Sequence, residues 1–342
     1  KDAPVGVFGL TPAMHYHQRG RPMKQTLMWE LARIQSLLAN ARLGPAFFFL
    51  MTTGSLSALN KLDAEAQRQR ETEGLERKLR PVNSGCSIVK TALKCAAATK
   101  SGRDAVASTR PIQCGQGMPA GPESVVHLAR CRYEAGKPVG SEDVQNAFNK
   151  RKRASMLAAV KARWPSSTAL LNLLYGTDAA CLYVYYIDDK LHVGIKRSEE
   201  GSRMGCVLGS TAFNLGSADM YDTLSSEFTN SIFRALTDDL INMPDGPGEG
   251  ETWQTFYDDY AKYLLRWDEL ANPLGLFRHP GKGHLLVPPY ADAPAEGSAI
   301  VKLTNVVWHG IVIAGAPIGT PDFVAKYALA KVESLRQRCN SI

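Results

Sequence analysis

Three aspartates stand in settings where a carboxylate needs an explanation. Asp143 opens the run Asp-Val-Gln-Asn-Ala-Phe-Asn, directly ahead of the basic cluster Lys150-Arg151-Lys152-Arg153. Asp238 and Asp239 form a tandem pair inside the apolar run Ala235–Ile241. Two adjacent charges in a strand-like apolar segment are costly unless a cation or hydrogen bonds compensate them. Asp-Asp is equally a common turn dipeptide at a hairpin tip, so the pair alone leaves both readings open. Four cations at the start of a helix face the positive end of its dipole, which calls for a compensating anion; a solvated helix start is the plainer alternative.

The charge distribution extends this pattern. The chain of 342 residues carries a formal net charge of +7. Arg130–Arg163 holds nine Lys/Arg against three Asp/Glu, a net of +6, whereas Ser217–Asn272 holds twelve Asp/Glu against three Lys/Arg, a net of −9. A basic surface beside an acidic centre suits an enzyme that holds a polyanion and concentrates cations, and segregated solvated faces would look similar. A hydrophobic content of 44% with 21% charged residues excludes a disordered or fibrous chain. The apolar run Ala46–Met51 falls far short of the ~20 residues a membrane helix needs. Seven cysteines (86, 95, 114, 131, 181, 206 and 339) include no C-x-x-C pair. They read as buried reduced thiols in a reducing intracellular compartment, and they give no zinc pattern. The chain opens without Met or a secretory leader and reads as a processed product or a fragment.

The elements that must position the aspartates follow from periodicity. Residues 1–22 read as an extended tail. Helical spacing recurs over Met23–Ala41, Val82–Ala98, Glu123–Glu134 (with Glu123 and Ser124 as caps), Ala154–Trp164, Thr211–Phe228 and Trp253–Ala271. Ala64–Leu79 reads as a loop or an exposed helix. Ala180–Ile187 and Leu191–Ile195 bracket Asp188-Asp189-Lys190 as a hairpin, and Phe233–Ile241 reads as strand-turn-strand around Asp238 and Asp239. Leu285–Val287, Val301–Leu303 and His309–Ala314 read as short strands. Helices and hairpins mix without a βαβ rhythm, so the expected class is α+β around an antiparallel sheet.

Order and company sharpen the aspartates. From roughly Leu43 to Val332 the chain resembles the reverse transcriptases of non-LTR retrotransposons. Arg77-Lys78-Leu79-Arg80-Pro81-Val82 looks like the family's fingers segment. Gln113-Cys114-Gly115 with Gly121-Pro122-Glu123 and His127 looks like its next block. Asp143–Asn149 resembles motif A, Ser198–Gly209 motif B, Leu236-Thr237-Asp238-Asp239 motif C, Gly275–Leu286 motif D, and Ile313–Gly319 the segment that follows. Tyr186-Ile187-Asp188-Asp189 matches the usual spelling of motif C better, but it precedes motif B, which motif C must follow.

The resemblance implies a fingers-like region (23–135), a palm-like region (136–320) whose antiparallel sheet packs on helices, and a C-terminal helix (321–342); in a departure from the family, the sequence is expected to leave almost nothing for a helical thumb. It implies two Mg²⁺ (or Mn²⁺) ions held by Asp143, Asp238 and Asp239, one activating a 3′-hydroxyl and one holding the triphosphate. It makes Arg80 a triphosphate clamp and Phe148 the wall against a sugar 2′ position. Gly205 becomes a point of close backbone approach, and Lys282 a proton donor to pyrophosphate. Lys150, Arg151, Lys152 and Arg153 would contact the phosphates of RNA or an RNA/DNA hybrid.

Departures from the family pattern set two expectations. Lys137–Glu142, with Pro138, Gly140 and Glu142, is expected to make a poor central strand and to displace motif A. Met204, Val207 and Leu236 replace the usual residues of motifs B and C. These departures point to a reverse-transcriptase-derived, RNA-binding or structural subunit of a larger ribonucleoprotein assembly with other protein subunits, in a setting such as a mitochondrial or other organellar matrix. The intact aspartates point to the alternative, an active RNA-directed DNA polymerase of a retroelement.

Overall fold

The computed structural model describes residues 25–44, 46, 53–60, 64–76, 79–176, 179–187, 190–279 and 281–340. The expected tail at 1–22, Arg77 and Lys78, and the Asp188-Asp189 pair lie outside them. In chain order the elements begin with α1 (Gln25–Ala39), β1 (Gly54–Asn60), α2 (Ala64–Thr72), β2 (Leu79–Ser84), α3 (Ser87–Ala98), α4 (Lys100–Ala107) and α5 (Gly121–Glu134). Then come β3 (Val139–Glu142), α6 (Ala147–Lys150), α7 (Arg153–Arg163), α8 (Thr168–Tyr175), β4 (Ala179–Ile187), β5 (Lys190–Ser198) and α9 (Gly209–Glu227). The remainder is β6 (Ser231–Leu236), β7 (Asp239–Pro244), α10 (Trp253–Ala271), β8 (His284–Leu286), α11 (Ile300–Leu303), β9 (Asn305–Val307), β10 (Gly310–Ile313), β11 (Ala316–Gly319) and α12 (Pro321–Asn340).

These elements form two compact units, each assembled from two stretches of chain. The first comprises Lys1–Ser108 and Phe148–Gly216, the second Thr109–Ala147 and Ser217–Ile342. In the first unit, a four-stranded sheet runs in the order β2-β1-β4-β5. Its core joins Leu38 of α1, Ile88, Val89 and Leu93 of α3, Met156 and Val160 of α7, and Leu170, Leu171 and Leu174 of α8. Leu79–Ser84 is a strand, although helical spacing places the start of a helix at Val82. As the edge of the sheet, β2 tolerates Pro81, which has no N–H to contribute to a ladder.

In the second unit, a five-stranded sheet runs in the order β6-β7-β3-β8-β9, with β10 and β11 paired as a separate hairpin. All pairings in the five-stranded sheet are antiparallel except β8 with β9. The helix α10 buries Phe256, Tyr260, Leu264 and Trp267 at helical spacing, and the Thr252 hydroxyl caps it by accepting from the Thr255 N–H at 3.2 Å. Three expectations are corrected. Val301–Leu303 lies in the short helix α11 rather than a strand, because so brief an apolar run cannot fix its own period. Neither Glu123 nor Ser124 caps α5, which starts from Ala120 at φ +51°. Of the six cysteines described, only Cys86 and Cys114 are buried, and Cys95, Cys131 and Cys339 are exposed.

Among the described residues, no helix is long and apolar enough to cross a membrane.

Candidate active site

The segment expected to be a poor strand is the middle of the second unit's sheet. β3 lies between β7 and β8, with Gly140 opposite both Asn242 and Leu285. The residues that weigh against a strand in the sequence are the ones its surroundings require. A Cβ on Gly140 would stand 1.8 Å from the Tyr260 hydroxyl, so only glycine lets α10 approach the strand there. Glu142 is 1% exposed, and its Oε1 accepts a hydrogen bond from the Tyr260 hydroxyl at 3.1 Å. Its Oε2 lies 3.6 Å from Arg278 Nη1. That guanidinium in turn donates in bidentate fashion to Asp268, at 2.9 and 2.6 Å, and to the Leu303 carbonyl at 3.0 Å. Burial pushes the Glu142 carboxyl up to about 7, against the opposing pull of Arg278 and Tyr260.

Asp143 follows directly on this strand. Glu142 pairs with Leu240, so Asp143 leaves β3 beside the point where β7 begins at Asp239. Its backbone is fastened from the other side. The Asp143 carbonyl accepts from the His279 N–H at 2.8 Å, Val144 bridges Arg278, and the Gln145 N–H donates to the Phe277 carbonyl at 2.8 Å. Asp238 occupies the hairpin between β6 and β7, where Leu236 pairs with Asp239 and only Thr237 and Asp238 connect the strands.

That connection is strained and held. Thr237 has φ +65°, a conformation that costs a β-branched residue on the order of 1–2 kcal/mol. The Gln113 side chain, 1% exposed, accepts from the Thr237 N–H at 2.8 Å and donates to the Thr237 carbonyl at 3.2 Å. Gln113 Oε1 also accepts from the Gly115 N–H at 2.9 Å. Residues 112–114 lie along the outer edge of β6, with the Cys114 N–H donating to the Ala235 carbonyl at 2.8 Å and the Ala235 N–H to the Ile112 carbonyl at 2.7 Å. The sequence marks Gln113 as part of a block but not as a partner of Thr237, which lies 124 residues away.

Asp143 and Asp239 line one open recess of about 460 Å³, together with Ser141, Lys282 and His284 and an apolar wall that includes Ile311, Ile313 and Phe323. Asp239 is exposed, yet partial burial of its carboxyl, and then the like charges of Asp238 and Asp143, raise it to about 6. A carboxylate raised by two neighbouring carboxylates marks a place that attracts cations. One is already present: Lys282 Nζ lies 3.4 Å from Asp143 Oδ2. Among the described residues, no three His, Cys, Asp or Glu side chains form a ready-made metal cage. Mg²⁺ does not require one, since it binds through one or two carboxylates with substrate phosphates and waters in the other positions. Asp143 and Asp239, which line the recess, are the carboxylates that could hold such an ion.

The remaining expected site residues belong to the first unit. Arg80 lies on β2 opposite Leu59. Phe148 stacks on Phe213, with ring centroids 5.0 Å apart. Gly205, at φ +96°, is explained by packing on β2, because a Cβ there would meet the Asn83 carbonyl oxygen at 2.3 Å. Lys150 and Lys152 are exposed. Arg151 is not available to a phosphate: it is fully buried, and its guanidinium donates to the Gly216 carbonyl. Arg153 is half-buried and directs its guanidinium to the carbonyls of Ser198, Glu200 and Gly201. Two of the four basic residues thus serve packing within the unit.

No protein-family model matches the chain, and neither does any curated protein sequence. Among solved structures, the chain is similar to apo telomerase from Candida tropicalis truncated from its C-terminal domain. The TM-score is 0.51 at 9% identity, over 80% of this chain and 54% of that one. It is also similar to telomerase from Candida albicans in complex with a TWJ fragment of telomeric RNA, with a TM-score of 0.49 at 10% identity over 79% of this chain and 46% of that one. The chain spans about half the length of these proteins. Identities this low speak to fold alone, and what the chain shares with the first of these structures is a mixed helix-and-sheet fold.

Proposed function

We propose that the second unit is the palm of an RNA-directed DNA polymerase related to retroelement reverse transcriptases. The observation that carries this reading is the placement of Asp143 at the end of the central strand β3, where the register brings it beside Asp239 at the start of β7. Asp143 and Asp238 would hold the divalent cations, with Asp239 alongside. Bound there, Mg²⁺ or Mn²⁺ supplies activation of a primer 3′-hydroxyl and neutralises triphosphate charge. The chain's own contribution is position. The Tyr260 and Arg278 contacts to Glu142 hold the strand, and the His279 N–H holds the Asp143 backbone. Lys282 balances Asp143 in the resting site and stands within the recess to pass its proton to departing pyrophosphate. In this reading Lys150 and Lys152, exposed on the first unit, contact nucleic-acid phosphates.

One observation favours a second reading. An ammonium group resting on Asp143 gives that carboxylate an internal partner, as an adapted, non-catalytic RNA-binding subunit of a ribonucleoprotein would need. Primer extension separates the two. The purified chain, given an RNA template, a DNA primer and Mg²⁺ or Mn²⁺, extends the primer if the polymerase reading holds. RNA binding with no extension under either metal favours the adapted subunit.

A further inference from the structure

We infer that Gln113 is the positioning residue of the aspartate-bearing hairpin: its buried amide clamps the left-handed Thr237 and so fixes where Asp238 and Asp239 present their carboxylates. The inference rests on the reading of the recess as a nucleotidyl-transfer site.

The geometry is specific to an amide. Oε1 accepts from two backbone N–H groups, Gly115 at 2.9 Å and Thr237 at 2.8 Å, and Nε2 donates to the Thr237 carbonyl at 3.2 Å. Both backbone groups of Thr237 are therefore held by one side chain, which is how a backbone peptide would pair with it. A turn with φ > 0 at its first connecting residue normally takes glycine. Threonine at φ +65° persists only where the surroundings over-determine it. Gly115 supplies the space, because a Cβ there would meet the Thr237 nitrogen at 2.9 Å and its Oγ1 at 3.0 Å. The Gln113 backbone is itself fixed by a bridge to Ala235 on β6, so the clamp is anchored to one strand of the hairpin whose turn it holds. Asp238 is the next residue after the clamped one, and phosphoryl transfer depends on carboxylate position.

The test uses the full chain with Gln113→Met, which removes all three hydrogen bonds at similar volume, and Gln113→Glu, which retains the acceptor and loses the donor. Three quantities are read: amide hydrogen exchange at Gly115 and Thr237, Mn²⁺ affinity by electron paramagnetic resonance, and kcat and KM for extension of a DNA primer on RNA. Gln113→Met is expected to speed exchange at both amides, weaken Mn²⁺ binding, and lower kcat by about 100-fold with little change in KM. Gln113→Glu is expected to fall between it and the wild type. In a Thr237→Gly background, where the turn no longer opposes its own side chain, the loss caused by Gln113→Met should shrink. Unchanged exchange, or unchanged Mn²⁺ affinity and kcat in folded Gln113→Met, overturns the inference, as does a loss that persists in full beside Thr237→Gly. Should Gln113→Met not fold, the same three quantities are read on Gln113→Glu, and values equal to the wild type's overturn the inference there too. A wild-type chain that fails to extend primers overturns the polymerase reading instead. The clamp then stands or falls on the exchange and Mn²⁺ affinity of the variants.

Discussion

Two hairpins in this chain are written around an Asp-Asp pair, and their neighbours distinguish them. β4 and β5 are nine residues each, and β5 is the edge of its sheet, with Val193 61% and Ile195 70% exposed. Among the described residues, β1 pairs with β4 at Cys181–Tyr183. β6 and β7 are shorter, and β7 is flanked by β3, which delivers a third carboxylate at Asp143. The first hairpin has the better motif spelling. The second has the partner strand, the recess and a buried amide holding its turn. Chemistry that needs several carboxylates is decided by which strand lies alongside, not by how the pair is spelled.

Four tests would break or sharpen that contrast. Asp238→Asn should abolish primer extension, whereas Asp188→Asn in the other hairpin should leave its rate unchanged; equal losses would erase the distinction. Arg278→Met should destabilise the chain by about 3–5 kcal/mol in urea unfolding, because it leaves Glu142 buried without its cation. Arg197→Met, on the exposed edge strand, should stay within about 0.5 kcal/mol. Gly140→Ala should cost about 1–3 kcal/mol by driving a methyl into the Tyr260 hydroxyl, and Tyr260→Phe in the same chain should offset part of that. The smallest effect belongs to Asp245, just beyond β7, which accepts from Lys137 at 2.6 Å and from Arg132 at 2.8 Å. Those hydrogen bonds hold its carboxyl below the usual 3.8, so its contribution is present near neutrality and lost as pH falls through the lowered value. Asp245→Asn should therefore cost about 0.2–1 kcal/mol at pH 7, a difference that closes in strong acid.

The parts legible in the sequence are those whose cause is local. Trp253–Ala271 is readable to the residue because its apolar spacing is complete and Thr252 caps it. The turn around Asp238 and Asp239 is readable because an acidic pair interrupts an apolar run. β3 is not readable, since Gly140 makes sense only against Tyr260, and Glu142 only against Tyr260 and Arg278, more than a hundred residues downstream. Arg151 misleads for the same reason: within a basic run nothing local separates a solvated arginine from one enclosed against Gly216. Arg278 carries no local signal at all.

The central claim is that Asp143, from β3, and Asp238, from the β6–β7 hairpin, share bound metal. The most direct measurement is the number of Mn²⁺ ions bound per chain in a complex with RNA template, chain-terminated DNA primer and incoming deoxynucleotide. Shared binding requires two ions in the wild type and a reduced count in both Asp143→Asn and Asp238→Asn. A count of zero in the wild type, or one that neither substitution changes, would contradict it.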